Sequence, residues 1–122
     1  MNNELKTILV VEDEADILYS IKEFLEFEGY TVLIALNGLE AINLLNKLPM
    51  PHLIILDMKM PIMDGWTFAK QFYEKFIKRA PIIVLTAAGD AEQRAKDIKA
   101  ISWIAKPFDL EDLLFAVKKY AT

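Results

Sequence analysis

The fold is indicated most clearly by residues 52–57, which read HLIILD. Leu53 to Leu56 form a continuous apolar run, as is typical of a strand covered on both faces of a parallel sheet. Asp57 follows directly, where the backbone leaves the core. We therefore predict a central strand over residues 52–56 with an acidic side chain at its carboxyl end.

Similar short runs recur on both sides of this strand and alternate with helical patterns. The other predicted strands are residues 7–11, 31–35, 81–85 and 102–105. Apolar residues spaced three or four apart predict helices over residues 14–28, 38–48, 66–78, 90–100 and 110–120. Gly29 is placed for a left-handed C-cap, and Asp64 and Asp109 are placed for N-caps. Five β/α units predict an α/β fold with helices on both faces of one sheet.

The fourth predicted helix differs from the others. Only Ala91, Ala95 and Ile98 could face a core, so we expect this helix to be the least firmly packed. An element that moves would need such low local stability. A helix that is merely solvated would show the same pattern, and the sequence leaves both interpretations open.

Composition restricts the classes of function. The 122 residues fit one domain, and 54% hydrophobic with 26% charged residues is typical of a soluble globular protein. A net charge of −4 argues against non-specific binding to nucleic acid. Cysteine is absent, and His52 is the one histidine, too few for a zinc site. No apolar run approaches the ~18 residues of a membrane span, and the first residues lack a signal peptide, so we expect a cytoplasmic protein without membrane insertion.

Polar residues stand directly after the predicted strands, where open α/β sheets bind ligands. They are Glu12, Asp13, Asp57, Thr86 and Lys106. Three carboxylates at one edge repel one another, and a hard cation such as Mg²⁺, which prefers oxygen ligands, relieves that repulsion. An acidic first helical turn would also explain the residues after the first strand, but not the lone aspartate after the third. The sequence therefore favours a metal site.

A carboxylate next to a metal ion can also act as a nucleophile. Asp57 can attack phosphorus and form an aspartyl phosphate. The metal ion on one side and the Lys106 ammonium on the other would neutralise the transferred charge, and the Thr86 hydroxyl would complete the cradle. Singly, Lys106 and Thr86 are ordinary surface and strand-end residues, so the prediction depends on their joint placement. The bond from Lys106 to Pro107 is a candidate cis peptide.

With these positions assigned, the sequence resembles the receiver domain of two-component response regulators along essentially its whole length. The matching segments are VVEDE (10–14), LDMKMPIMDG (56–65), VLTA (84–87) and AKPFD (105–109). The resemblance implies a flavodoxin-like, doubly wound (βα)₅ fold whose parallel sheet has the strand order 2-1-3-4-5. It also implies a single receiver domain over residues 1–122 without an output domain.

The resemblance assigns a role to each site residue. Asp57 would accept a phosphoryl group from a phosphohistidine of a sensor histidine kinase or histidine phosphotransfer domain. Asp13 and Asp57 would ligate Mg²⁺ directly, the backbone carbonyl of Lys59 would supply a third ligand, and Glu12 would act through a metal-bound water. Lys106 would pair with the phosphoryl oxygens.

The resemblance also implies a switch. Thr86 would move toward the phosphoryl group, and Trp103, where the family usually has tyrosine or phenylalanine, would turn inward behind it. The face made by the fourth helix, fifth strand and fifth helix would then change its binding to a downstream protein. Docking output of the chemotaxis type and onward phosphotransfer of the sporulation phosphorelay type both remain open. Neither involves direct contact with nucleic acid.

Two further departures from the family pattern are lysines. Lys99 stands where a glycine commonly ends the fourth helix. Lys59 is expected to lie over Asp57 or to pair with Glu12, and to affect how long the aspartyl phosphate survives. His52 is interpreted as a solvated residue at the start of a strand rather than as a phosphohistidine.

Three other functions fit parts of this pattern. An aspartyl-phosphate phosphatase of the haloacid dehalogenase type needs a second acid two positions after the nucleophile, where this chain has Lys59. A flavodoxin-like cofactor binder needs a Ser/Thr/Gly-rich loop after the first strand, where this chain is acidic. A degenerate receiver that only binds proteins is the remaining alternative. We therefore expect a signalling switch that is no enzyme beyond its own phosphotransfer and dephosphorylation.

Overall fold

The computed structural model describes residues 6–87 and 89–122, in which five strands alternate with five helices. The elements are β1 (Thr7–Val11), α1 (Ala15–Phe27), β2 (Thr31–Ala35), α2 (Gly38–Lys47), β3 (Leu53–Asp57), α3 (Gly65–Lys75), β4 (Ile82–Ala87), α4 (Ala91–Asp97), β5 (Ser102–Lys106) and α5 (Leu110–Tyr120). All neighbouring strands are parallel, in the order β2-β1-β3-β4-β5. The predicted doubly wound α/β fold and its strand order are confirmed.

The central strand β3 explains why its sequence is apolar throughout. β1 pairs with it on one side and β4 on the other, and all five of its residues are buried. The strand begins at Leu53 and includes Asp57, one residue later than predicted, because Asp57 continues the parallel ladder opposite Leu85. His52 precedes the strand, and its Nδ1 accepts a hydrogen bond of 3.0 Å from the backbone N–H of Thr7.

Two apolar layers cover the sheet. Alternate strand residues such as Leu9 and Val11 face one layer, which α2, α3 and α4 complete. Their neighbours Ile8 and Val10 face the other layer, which α1 and α5 complete. The polar site residues lie at the carboxyl ends of the strands, outside both apolar layers.

Local capping interactions set several helix ends. Asn37 accepts a hydrogen bond from the N–H of Glu40, and Asp64 accepts one from the N–H of Thr67, each of 2.9 Å, so the capping role predicted for Asp64 is confirmed. Gly29, with φ of 100°, follows α1 in the left-handed conformation, as predicted. Asp109 occupies the N-cap position of α5, although its side chain makes no capping hydrogen bond.

Helix α3 ends at Lys75, three residues earlier than predicted. Phe76 adopts an extended backbone, yet its ring still packs against Phe72 with 5.6 Å between centroids. Phe72 in turn stacks on Phe68 at 5.5 Å. The apolar spacing therefore continues beyond the helix, which explains why the sequence pattern overestimated its length.

Helix α4 is also shorter than predicted. It spans seven residues and buries Ala91 and Ala95, while Ile98 is buried just beyond its end. Lys99 then turns the chain with a positive φ of 57°. Within the described residues, no helix is long and apolar enough to cross a membrane.

Candidate functional site

The carboxyl ends of the strands bring the predicted site residues together at one edge of the sheet. Each of Glu12, Asp13 and Asp57 offers one carboxylate oxygen, and these three oxygens lie within 4.8 Å of one another. The Lys106 ammonium at the end of β5 lies 2.9 Å from Glu12 Oε1 and 3.8 Å from Asp57 Oδ2. We call these four side chains the acidic pocket.

Glu12 is the most enclosed member of the acidic pocket. It is fully buried, and its Oε2 accepts a hydrogen bond of 3.0 Å from the N–H of Glu14. Its Oε1 has no hydrogen-bond donor among the described residues, although it forms an ion pair of 2.9 Å with the Lys106 ammonium. Burial raises the pKa of Glu12, and Lys106 only partly offsets that effect. A buried carboxylate oxygen without a hydrogen-bond donor is suited to a cation or to water bound to one.

Asp57 has a strongly raised pKa. Burial, with the negative charge of Glu12 adding to it and Lys106 opposing it, raises the pKa of Asp57 to about 7. Burial by itself would lower the pKa of Lys106, but its contact with Glu12 and the charge of Asp57 outweigh burial and raise it. The pocket thus combines one firmly protonated lysine with more negative charge than that lysine balances.

This donor set fits a hard divalent cation. The three converging groups are all carboxylates, and Mg²⁺ prefers oxygen ligands and keeps several waters. A cation would pair with Glu12 Oε1 directly or through water, and it would favour the charged form of Asp57. The residues present therefore fit Mg²⁺.

Comparison with known proteins places this architecture in a family. A family model described as "Response regulator receiver domain" matches residues 8–118. The chain belongs to this family. Receiver domains are signalling switches rather than classical enzymes, so family membership sets aside the phosphatase and cofactor-binding alternatives.

Two curated relatives cover the receiver domain almost completely. This chain is 37% identical over 115 residues to sporulation initiation phosphotransferase F of Bacillus subtilis. The match spans 93% of this chain and 91% of the relative. The chain is 40% identical over 116 residues to the transcriptional regulatory protein PdtaR of Mycobacterium tuberculosis, with 93% of this chain covered. The second match spans only 55% of the relative, so the chain corresponds to about half of that protein.

Solved structures agree with this assignment. The response regulator TrrA of Thermotoga maritima, solved in a complex with Mg²⁺ and BeF, superimposes with a TM-score of 0.83 at 36% identity. The superposition covers 95% of this chain and 99% of that protein. The resemblance of the sequence to receiver domains is confirmed.

Thr86 and Trp103 occupy adjacent strands of the receiver domain but differ in exposure. Thr86 lies near the end of β4, one residue after the partner of Asp57 in the sheet, and is 2% exposed. Trp103 lies on β5, paired with Val84, and is 45% exposed. The indole therefore lies at the surface in this conformation, not behind Thr86.

The Lys59 side chain pairs with a residue other than Glu12. Its ammonium is 3.4 Å from Asp90 Oδ2 at the start of α4, and within the described chain it forms no ion pair with Asp57 or Glu12. Glu12 is buried and already paired with Lys106, whereas Asp90 is partly exposed at the same edge of the sheet. The predicted pairing with Glu12 is therefore wrong.

Sequence reasoning missed how the loop after Asp57 is held. The N–H of Gly65 donates to the carbonyl of Met58 at 2.8 Å. A Cβ at position 65 would lie 2.5 Å from Met58 Sδ and 3.0 Å from the carbonyl oxygen of Asp57, so only glycine fits. The Asp-Gly pair signalled a helix cap, but nothing in the sequence signalled this close approach. The predicted cis peptide between Lys106 and Pro107 is present.

Proposed function

We propose that this receiver domain takes a phosphoryl group onto Asp57, with Mg²⁺, from a phosphohistidine of a sensor histidine kinase or histidine phosphotransfer domain. The observation that carries the proposal is the acidic pocket itself. It places the carboxylate of Asp57 within 4.8 Å of two others and 3.8 Å from a lysine ammonium. This combination is suited to phosphoryl transfer, which is catalysed mainly by positioning and charge neutralisation.

Each residue of the pocket has a proposed role. Asp13, Asp57 and the backbone carbonyl of Lys59 would hold the cation, and Glu12 would act through a water bound to it. When bound, Mg²⁺ neutralises the phosphoryl oxygens. An oxygen of Asp57 forms the new bond to phosphorus while the bond to the donor imidazole nitrogen breaks and the imidazole leaves. The Lys106 ammonium then exchanges its ion pair with Glu12 for one with a phosphoryl oxygen.

A groove beside the acidic pocket offers a place for the donor. It has a volume of about 560 Å³ and lies between the start of α1 and the segment that follows β5. Ile17, Pro107 and Phe108 contribute apolar surface to it, and Lys106 lines its inner end. We propose that the domain carrying the phosphohistidine docks here. The similarity to a phosphotransferase of sporulation initiation supports such a relay.

The output is proposed to involve the face made by α4, β5 and α5. Thr86 would move toward the phosphoryl group, and the exposed Trp103 would turn inward behind it. Phe115 of α5 is 72% exposed and shares a cavity of about 370 Å³ with Trp103, so this face offers apolar surface that such a movement would change. A downstream protein would sense that change, or a second histidine would take the phosphoryl group on.

The proposal is tested by incubating the protein with a small phosphodonor and Mg²⁺. Intact-mass spectrometry should show the gain of one phosphoryl group, its loss in Asp57→Asn, and its dependence on Mg²⁺ when EDTA is added. Asp109→Asn, at an exposed position away from the pocket, is the matched control and should still be phosphorylated. Undiminished phosphorylation of Asp57→Asn, or failure with every phosphohistidine donor and small phosphodonor, would contradict the proposal.

A further inference from the structure

A second cleft lies between α3 and α4. It has a volume of about 490 Å³, within the range of ligand-binding sites in proteins. We call it the α3–α4 cleft, and the residues that define it here are Trp66, Lys70, Tyr73, Arg79, Ile98 and Lys99. None of them belongs to the acidic pocket or to the groove beside it.

The aromatic walls of the α3–α4 cleft are fixed by polar contacts. The indole Nε1 of Trp66 donates to Asp97 at 3.2 Å, and the Arg94 guanidinium lies 5.3 Å from the centre of the indole ring. The hydroxyl of Tyr73 donates to the carbonyl of Ile98 at 2.7 Å. Because these contacts link α3 to α4, the cleft is formed before any ligand arrives, which lowers the entropic cost of binding.

The lining of the cleft is positively charged. Lys70, Arg79 and Lys99 are exposed, and among the described residues the two lysines form no ion pair. Arg79 donates to a backbone carbonyl at 3.0 Å and lies over an aromatic ring, neither of which neutralises its charge. The one carboxylate in the lining, Asp97, is already paired at 2.9 Å with an arginine of α4. Three uncompensated cations therefore surround an aromatic-walled cleft.

The distribution of charge along the chain also favours an acidic ligand at this cleft. Residues 66–99 contain seven Lys and Arg against four Asp and Glu, whereas the rest of the chain contains seven against fourteen. This stretch is therefore net positive and the rest of the chain net negative, which favours an acidic ligand at this stretch over the remainder. A nucleic acid would extend past the cleft onto the acidic remainder, which disfavours a long polyanion.

The backbone of Lys99 supplies an independent observation. Its φ of 57° lies in the left-handed region, which glycine adopts without strain and lysine does not. Backbone strain of this kind is frequent at binding sites, and here it accompanies a charged side chain in the lining of the cleft. A glycine at position 99 would provide no ammonium group at the cleft.

From these observations we propose that the α3–α4 cleft docks an acidic segment of a partner protein. One apolar side chain of that segment would enter the cleft beside Trp66 and Tyr73. Its carboxylates would pair with Lys70, Arg79 and Lys99. The proposal does not depend on phosphorylation of the acidic pocket.

The probe for this proposal is a blocked, alanine-based helical peptide that carries one phenylalanine. Glutamates stand three and four residues before the phenylalanine and three and four residues after it. In ¹⁵N–¹H NMR titrations it should cause saturable shifts of the Trp66 indole N–H and the Lys99 amide. Lys70→Glu should weaken binding by about tenfold or more, because like charges then face each other. Lys118→Glu, a charge reversal on exposed α5, is the matched control and should bind as the wild type does.

A second variant separates binding from folding. Lys99→Gly should raise the urea midpoint, since it relieves the strained backbone, and should weaken peptide binding, since it removes a cation. A purely structural Lys99 would leave the affinity unchanged. The proposal is overturned by the absence of saturable shifts at the cleft, by shifts confined to the groove beside α1, or by equal binding of a twin peptide with lysine in place of glutamate. Tighter binding of an oligothymidylate would instead make this face a nucleic-acid surface.

Discussion

The charge in the acidic pocket should make the metal-free protein less stable at neutral pH than its Asp57→Asn variant. The pKa of Asp57 rises from 3.8 to about 7 on folding, chiefly through burial. At ~1.36 kcal/mol per pH unit, this gap corresponds to a cost of up to ~4 kcal/mol for holding Asp57 charged in the folded state. Asp57 is only 4% exposed, so solvent screening reduces this figure little.

The sign of the pH dependence follows from the raised pKa. The folded protein binds the Asp57 proton more tightly than the unfolded chain does, so the stability that this proton confers is complete below about pH 4. It is lost as the pH rises through about 7. Asparagine resembles the protonated form at every pH. The variant should therefore match the wild type near pH 4 and exceed it by up to ~4 kcal/mol at pH 8 in EDTA.

Urea denaturation followed by circular dichroism, at several pH values between 4 and 8, measures this difference. Excess Mg²⁺ should raise the stability of the wild type at pH 8 and narrow its gap to the variant, because a cation neutralises the buried charge. Asp109→Asn, an exposed control, should show a small difference that does not change with pH. A wild-type-to-variant difference that stays constant from pH 4 to 8 would show that the charge of Asp57 does not destabilise the fold.

Four further substitutions test separate features of the structure. Gly65→Ala forces a Cβ against Met58 and the backbone of the site, so it should lower the free energy of unfolding, measured with urea, by about 1–3 kcal/mol. It should also weaken Mg²⁺ binding measured by calorimetry, and unchanged binding would contradict this. Phe72→Ala removes a fully buried ring and should cost about 3–5 kcal/mol, while the folded fraction is still phosphorylated. Ile62 is 78% exposed at a φ of 70°, so Ile62→Asn should raise stability by about 1 kcal/mol, and a loss would disprove the strain argument. Lys59→Ala removes the ion pair to Asp90 beside the loop that follows Asp57 and should shorten the lifetime of the aspartyl phosphate in a phosphate-release assay; an unchanged lifetime would remove its proposed modulating role.

The sequence predicted the strands and the convergence of site residues because these follow from general rules, whereas the strand order was implied by the resemblance to receiver domains. A continuous apolar run indicates a buried parallel strand, and carboxyl ends of parallel strands meet at one edge. The strand ends were less accurate. Asp57, Ala87 and Lys106 all belong to strands, although the predictions ended before them. Polar or small residues look like loop, while the parallel ladder continues through them for one or two more positions.

Contacts between loops could not be predicted in the same way. The ion pair from Lys59 to Asp90 joins residues 31 positions apart, and it depends on how far two exposed side chains reach. The fit of Gly65 against Met58 depends on a separation of a few ångströms between two turns. Neither contact produces a periodic pattern in the sequence, so both become visible only in the folded structure.

The position of β3 limits how the proposed phosphorylation of Asp57 could be transmitted. The strand is flanked by ladders on both edges and by helices on both faces, so moving it would disturb the entire core. Asp57 is thus a stationary anchor point. Any rearrangement that begins at its carboxylate has to be a displacement of neighbouring segments around that anchor, and partners that read the state of the molecule must touch those segments and not the anchor itself.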